Sequence, residues 1–301
     1  MVVFRETLCR SVLSRCQIPG IMYSINPYIG CQHACAYCYA RFMLKYRHQD
    51  EKWGEFVDIK VNAPQALAKQ IYKAEPGLTL MSSVTDPYQP VEERYELSRK
   101  VLQRLLRRDF PLTILTKSSL VVRDLDLLKK FSECEVGMTV TTLDEGVKAN
   151  FEPYSSSVGE RLEALKAIGD EGLKTYAFIG PILPFFTEET FGELVHQLKE
   201  VGVGRVLVDR LNIKYGNWEA IKAVLEKHHP DLLSRYRGVL FHGNDYFEGL
   251  KKEMATVLRR ERRWRPSSEG RGWSSSSATE GVDYRFRTSL RTALYGPSFP
   301  P

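Results

Sequence analysis

The sequence predicts an α/β fold built on a parallel sheet, and three observations carry that reading. Short apolar runs alternate with longer amphipathic segments along most of the 301 residues, the pattern that repeated βα units produce. A loop rich in Gly, Asn, Pro and Tyr, holding three cysteines, follows the first of those apolar runs. Finally, no stretch is long and apolar enough to span a bilayer, which takes about 20 residues.

Taken in order, residues 22–26 read as the first strand and lead into the cysteine loop. Residues 78–83 read as the second strand and 92–106 as a helix; 112–116 form the third strand and 120–131 the helix after it. Residues 136–140 give a fourth strand, 158–171 a helix, 175–179 a fifth strand, 188–201 a helix and 205–209 a sixth strand. Residues 239–242 read as one more strand and 245–258 as a closing helix. About six βα units fall short of a closed eight-fold barrel. The organisation expected is an N-terminal arm over 1–20, a barrel over 21–258 and an Arg/Ser-rich tail over 259–301. The tail lacks apolar periodicity and is expected to be disordered.

The formal charge is +6, and the tail carries most of it, with nine Arg against four acidic residues. The remaining chain is nearly balanced, so the barrel shows no global electrostatic footprint for nucleic acid. A local basic patch from Arg41, Lys45 and Arg47 is compatible with the sequence. Six cysteines in 301 residues, without a secretory signal, do not form a disulfide framework. A reducing compartment, hence the cytoplasm, is expected.

Cys31, Cys35 and Cys38 read as Cys-x₃-Cys-x₂-Cys, with Tyr37 ahead of the third. Three thiolates can hold three irons of a [4Fe–4S] cluster and leave the fourth iron open, whereas a structural zinc site wants four ligands. His33 is a poor fourth zinc ligand because it lies between Cys31 and Cys35 in a tight loop. Cys9, Cys16 and Cys134 form no second motif, and burial is the default for such thiols.

These residues resemble the signature of the radical S-adenosylmethionine (SAM) superfamily. The surroundings narrow the resemblance to the spore photoproduct lyase-like (DNA repair photolyase-like) branch: the run from Tyr23 to Cys31, Val61-Asn-Ala-Pro64, the run Val84-Thr-Asp-Pro-Tyr-Gln-Pro90, Leu115-Thr-Lys-Ser118 and the run from Arg123 to Leu128. The similarity runs from about Tyr23 to about Leu211. It implies a partial (β/α)₆ TIM-like barrel, a [4Fe–4S] cluster on Cys31, Cys35 and Cys38, and SAM as cofactor. It also implies an external one-electron reductant of the flavodoxin or ferredoxin kind. Reductive cleavage of SAM would give methionine and a 5′-deoxyadenosyl radical that takes a hydrogen atom from a substrate the sequence does not identify.

Position at strand ends gives the resemblance its residue-level content, because reactive groups of such barrels sit at the C-terminal ends of strands. The resemblance places Ser83 and Thr85 at the SAM amino group, Lys117 at its carboxylate, Thr139 at the ribose and Gly180 at the adenine, with Tyr37 in the cofactor loop. Each has a plainer reading: Lys117 as a solvated surface charge, and Ser or Thr as helix caps. Glu152 and Arg161 carry two open readings. They match the family's pattern as a pair near the cofactor; alternatively the segment is a helix entry, with serines 155–157 as caps, Glu160 in the first turn and Arg161 on a surface carboxylate. In the relatives that repair DNA, a cysteine after the second strand returns the hydrogen atom. Here Ser83 stands at that place and residues 81–88 hold no cysteine, which argues against that reaction. The alternative function class is a non-catalytic metal- or nucleic-acid-binding protein that keeps the barrel.

Overall fold

The computed structural model describes residues 2–46, 48–242, 245–261 and 283–286. Six parallel strands form its spine: Tyr23–Ile25, Thr79–Met81, Leu112–Thr116, Cys134–Thr139, Lys174–Ile182 and Arg205–Arg210. They lie side by side in chain order. Helical segments occupy every crossover, as parallel connections require. The sheet stays open. At one edge Leu13–Arg15 pairs antiparallel with the first barrel strand, and at the other Asp283–Phe286 pairs parallel with the sixth. The architecture is therefore the partial, TIM-like (β/α)₆ barrel that the resemblance implies, with the six βα units that the sequence pattern predicts.

Burial explains why the strands read as nearly unbroken apolar runs. Ile25, Met81, Ile114, Val136, Met138 and Ile179 are fully buried between sheet and helices, as expected for a parallel sheet covered on both faces. In the helix Leu97–Leu105, the buried Leu97, Val101, Leu102 and Leu105 form one stripe, while Lys100 and Gln103 are exposed.

Three predicted elements differ in detail. The helix expected over 92–106 is two, Glu92–Tyr95 and Leu97–Leu105, separated by Glu96 at φ 51°. The break lets the Glu92 carboxylate turn back and accept from Ser98 N at 3.0 Å, satisfying a free amide at the start of the second helix. The 120–131 segment is a 3₁₀ turn, Ser119–Asp124, followed by the short helix Leu125–Leu128. Residues 239–242 are not a strand; they end the helix Leu233–Phe241. Its buried Tyr236 lies between Leu233 and the half-buried Leu240 at three- and four-residue steps, a period that a four-residue window cannot show.

The N-terminal arm is tied down by side chains. Asn62 accepts from Cys9 N and donates to Cys9 O, and Gln70 accepts from Val12 N and Leu13 N. A second sheet joins Val3–Thr7, Phe56–Lys60 and Tyr28–Ile29. Within the tail expected to be disordered, Asp283–Phe286 forms the edge strand; the other residues from 262 onward lie outside the described residues. Among the described residues no helix is long and apolar enough to cross a membrane.

Candidate functional site

The cysteine loop leaves the first barrel strand at its C-terminal end, and two close approaches fix its path. Gly30 has φ +85°, and a Cβ there would collide with Phe56 O. Gly54, at φ +98°, lies against Ala34, itself left-handed at φ 54°, and a Cβ on Gly54 would collide with Ala34 Cβ. Both positions take glycine because no side chain fits the space or the φ angle. The loop then enters the 3₁₀ helix Tyr39–Lys45. Cys31 and Cys35 are buried, Cys38 is half-buried, and all three are free thiols. Burial pushes each of them above the ordinary thiol range.

Two distant segments grip this loop. From the loop after the second barrel strand, Thr85 Oγ1 donates to Gly30 O at 2.5 Å and Gln89 Oε1 accepts from Gln32 N at 2.9 Å. From the segment after the fourth strand, Phe151 O accepts from Ala36 N, Glu152 accepts from the Tyr37 hydroxyl, and Tyr154 O lies 2.9 Å from His33 Nδ1. A third restraint comes from beyond the sixth strand, where Asn217 Nδ2 donates to Tyr37 O. The cysteine loop is thus held from both edges of the open sheet.

Asp86 joins three of these parts. It accepts from Tyr88 N, Thr116 Oγ1 and Lys117 N. His33 Nε2 stands 3.3 Å from its Oδ2 without the alignment of a hydrogen bond. Burial raises the Asp86 carboxyl, but the His33 ring and the donated hydrogen bonds outweigh it and bring the pKa down to about 2. The role of Asp86 is absent from the sequence reading, although its Asp-Pro step is a turn signature that suits a carboxylate bonding two residues on.

Glu152 and Arg161 resolve into an internal pair. Glu152 is fully buried and takes hydrogen bonds from Tyr37, Thr141, Ser155 and Arg161. Arg161, also fully buried, spends its remaining donors on Ser156 O, Thr139 O and Ser155 Oγ. Burial alone would raise the Glu152 carboxyl; the positive charges of Arg161 and Lys117, with the Tyr37 hydrogen bond, hold it at about 2. Ser157 and Glu160 form the capping box of the helix Val158–Asp170, so the helix-entry reading holds for them, while Arg161 pairs inward instead of with a surface carboxylate.

The other expected positions lie around the same mouth. Lys117 follows the third strand, with its Nζ 5.7 Å from the Tyr37 ring centroid. Burial lowers the ammonium, but Cys35, Glu152 and Asp86 raise it further, so it stays charged. Ser83 Oγ accepts from Asn26 Nδ2, and its carbonyl accepts from Tyr39. Thr139 ends the fourth strand, buried, with its carbonyl on Arg161. Gly180 lies in the fifth strand, where a Cβ would collide with the Phe178 ring, so close packing by itself accounts for the glycine.

A cluster or a single metal ion would make different demands on these residues. Among the described residues no three His, Cys, Asp or Glu side chains are arranged around one metal ion. That speaks against a tetrahedral zinc site, whose thiolates converge to about 2.3 Å from a point; His33 is also turned toward Tyr154 and Asp86. A [4Fe–4S] cluster instead takes each thiolate on a separate iron. Among the described residues, the buried side-chain nitrogens without a hydrogen-bond partner are His33 Nε2, Arg41 Nε and Trp53 Nε1. His33 Nε2 faces the Asp86 carboxylate at 3.3 Å, whereas Arg41 Nε lies on the turn after the cysteine loop and Trp53 Nε1 on the segment packed on it. Two unpaired donors at the cysteine loop fit a group rich in sulfur acceptors.

Fold and site together define an open (β/α)₆ barrel with a three-cysteine loop at the C-terminal mouth of its first strand. The chain belongs to the radical SAM superfamily, whose family model matches residues 25–198. It is 48% identical over 168 residues to an uncharacterized protein of Methanocaldococcus jannaschii, covering 56% of this chain and 63% of that protein, so the match spans less than two thirds of the relative's length. It is 28% identical over 277 residues to an uncharacterized protein of Mycobacterium tuberculosis, covering 87% and 82% of the two chains. Among solved structures, a spore photoproduct lyase mutant with bound AdoMet and dinucleoside spore photoproduct aligns with TM-score 0.65 at 19% identity, over 86% of this chain and 79% of that one. That likeness is one of fold. Superfamily membership supports an enzyme of radical SAM chemistry.

Proposed function

We propose that this chain is a radical SAM enzyme that holds a [4Fe–4S] cluster on Cys31, Cys35 and Cys38 and cleaves SAM reductively to start radical chemistry on a substrate carbon. The observation that carries the proposal is the buried three-thiol loop, fixed from both sheet edges and set among unpaired N–H donors. Cys31, Cys35 and Cys38 would hold the cluster, which would supply one-electron reduction of the SAM sulfonium from an external reductant, giving methionine and a 5′-deoxyadenosyl radical.

The chain's own residues bind and exclude. Lys117 presents a charged ammonium to the cofactor carboxylate, a charge-assisted contact. Ser83 and Thr85 line the amino group's side, Thr139 the ribose and Gly180 the adenine. Tyr37, Glu152 and Arg161 act one layer behind, holding the loop's backbone in place. Ser83 disfavours spore-photoproduct repair, because a serine O–H bond is too strong to return a hydrogen atom as a thiol does. The remaining cysteines do not substitute: Cys134 begins the fourth strand, at the end away from the mouth, and Cys9 and Cys16 lie on the N-terminal arm, Cys9 beside Asn62.

Anaerobic reconstitution tests the reading. About four irons per chain are expected, and dithionite with SAM should yield 5′-deoxyadenosine. Cys35→Ala should lose both. An iron-loaded chain that never cleaves SAM, or a chain that takes up zinc in place of iron, would overturn the proposal.

A further inference from the structure

Trp53 and Arg41 approach the thiols from different parts of the chain, and each carries a buried N–H with nothing to bond. Trp53 is 5% exposed and sits in one apolar cluster with Cys31 and Ala40, with Cys38 packed against it. Its ring meets Phe56 edge-on at 6.4 Å. The next residue, Gly54, is the one pressed on Ala34 inside the cysteine loop, which ties the Trp53 backbone to that loop. Arg41 lies on the turn that leaves the third cysteine. Its Nη2 donates to Cys35 O at 3.2 Å while Nε is buried and unpaired.

A buried N–H left without an acceptor is costly, and both of these lie at the cysteine loop. No protein group, the cysteine sulfurs included, accepts from either nitrogen. We propose that Trp53 Nε1 and Arg41 Nε donate hydrogen bonds to sulfide of the bound cluster and so set the cluster's reduction potential. Hydrogen bonds to sulfur and a nearby cation stabilise the more negative, reduced state, which raises the potential. Trp53 has a second effect, since its ring walls off Cys31 and Cys38 from solvent. The inference rests on the cluster assignment above and concerns how the chain tunes that cluster.

The test is a potentiometric titration of the reconstituted full chain, followed by its EPR signal. Trp53→Phe keeps the ring's packing and removes only the N–H; Arg41→Lys keeps the charge and removes Nε. Each variant should bind iron as the unsubstituted chain does and reduce at a more negative potential. Unchanged potentials with full iron content would overturn the inference while leaving the cluster intact. An unsubstituted chain that takes no iron would instead overturn the cluster assignment. A further measurement needs no variant. With tryptophan labelled by ¹⁵N at the indole, pulsed EPR of the reduced protein should show a nitrogen coupling to the cluster, and its absence would also overturn the inference.

Discussion

The hydroxyl of Tyr37, the residue before the third cysteine, donates to Glu152, which lies 115 positions further along the chain. Glu152 is held in turn by Arg161. The loop that carries the thiols is thereby bolted to a buried ion pair that comes from the helix entry beyond the fourth strand.

Glu152→Ala removes the partner of a fully buried guanidinium. The expected loss of folding stability is about 3–5 kcal/mol, because the remaining charge is buried unpaired. Urea unfolding of the metal-free chain measures it, and a loss below about 1 kcal/mol, the range of exposed pairs, would contradict the pairing.

Acid sensitivity follows from the same carboxylate. Glu152 is depressed from its ordinary 4.5 to about 2 in the folded chain. Its contribution is therefore fully present above about pH 4.5 and is lost as pH falls toward 2, and it amounts to about 3 kcal/mol by linkage. Asp86, depressed from 3.8 to about 2, acts in the same direction over a lower window. Stability measured between pH 7 and pH 3 should fall less steeply for Glu152→Gln than for the unsubstituted chain.

Gly54→Ala places a Cβ against Ala34 and puts a side chain at φ +98°. Strain of this kind costs about 1–3 kcal/mol, and the cysteine loop must shift to relieve it. Reduced iron uptake with little change in helix content is the expected result, read by iron analysis and far-UV circular dichroism.

Lys117→Met removes a half-buried cation but keeps the approximate length of the side chain. Hydrogen bonds to charged groups contribute about 1.5–3 kcal/mol, so SAM binding should weaken about 10- to 100-fold while iron content holds. Equilibrium binding of SAM to the reconstituted variant checks both halves. A variant that binds SAM normally would remove Lys117 from the cofactor site.

What the sequence makes legible is what lies close together in it. Cys31, Cys35 and Cys38 fall within eight residues, and the six strands announce themselves by local apolar runs. Asp86, Gln89, Trp53 and Asn217 escape such reading because their partners are far away: Gln89 meets Gln32 across 57 positions, and Asn217 meets Tyr37 across 180. The Glu152 and Arg161 pair lies between these extremes. Its residues are visible, but whether they face a cofactor or each other depends on burial, which no local pattern encodes. Leu233–Phe241 shows the opposite failure, where the three apolar residues at its end look like a strand until the whole helical period is in view.

The link between Asn217 and Tyr37 also has a meaning for biosynthesis. The cysteines are made among the first forty residues, yet Glu152, Arg161 and Asn217, which hold their loop, emerge much later. At translation rates of about 5–20 residues per second, the 180 positions separating Tyr37 from Asn217 correspond to a wait of roughly ten seconds or more. During that wait the loop has Trp53, Thr85 and Gln89 against it but lacks the walls that Glu152, Arg161 and Asn217 supply. On the proposed cluster assignment, iron and sulfide would be delivered after those walls are made, and the supply of the cluster would be a step of maturation separate from the folding of the first strands.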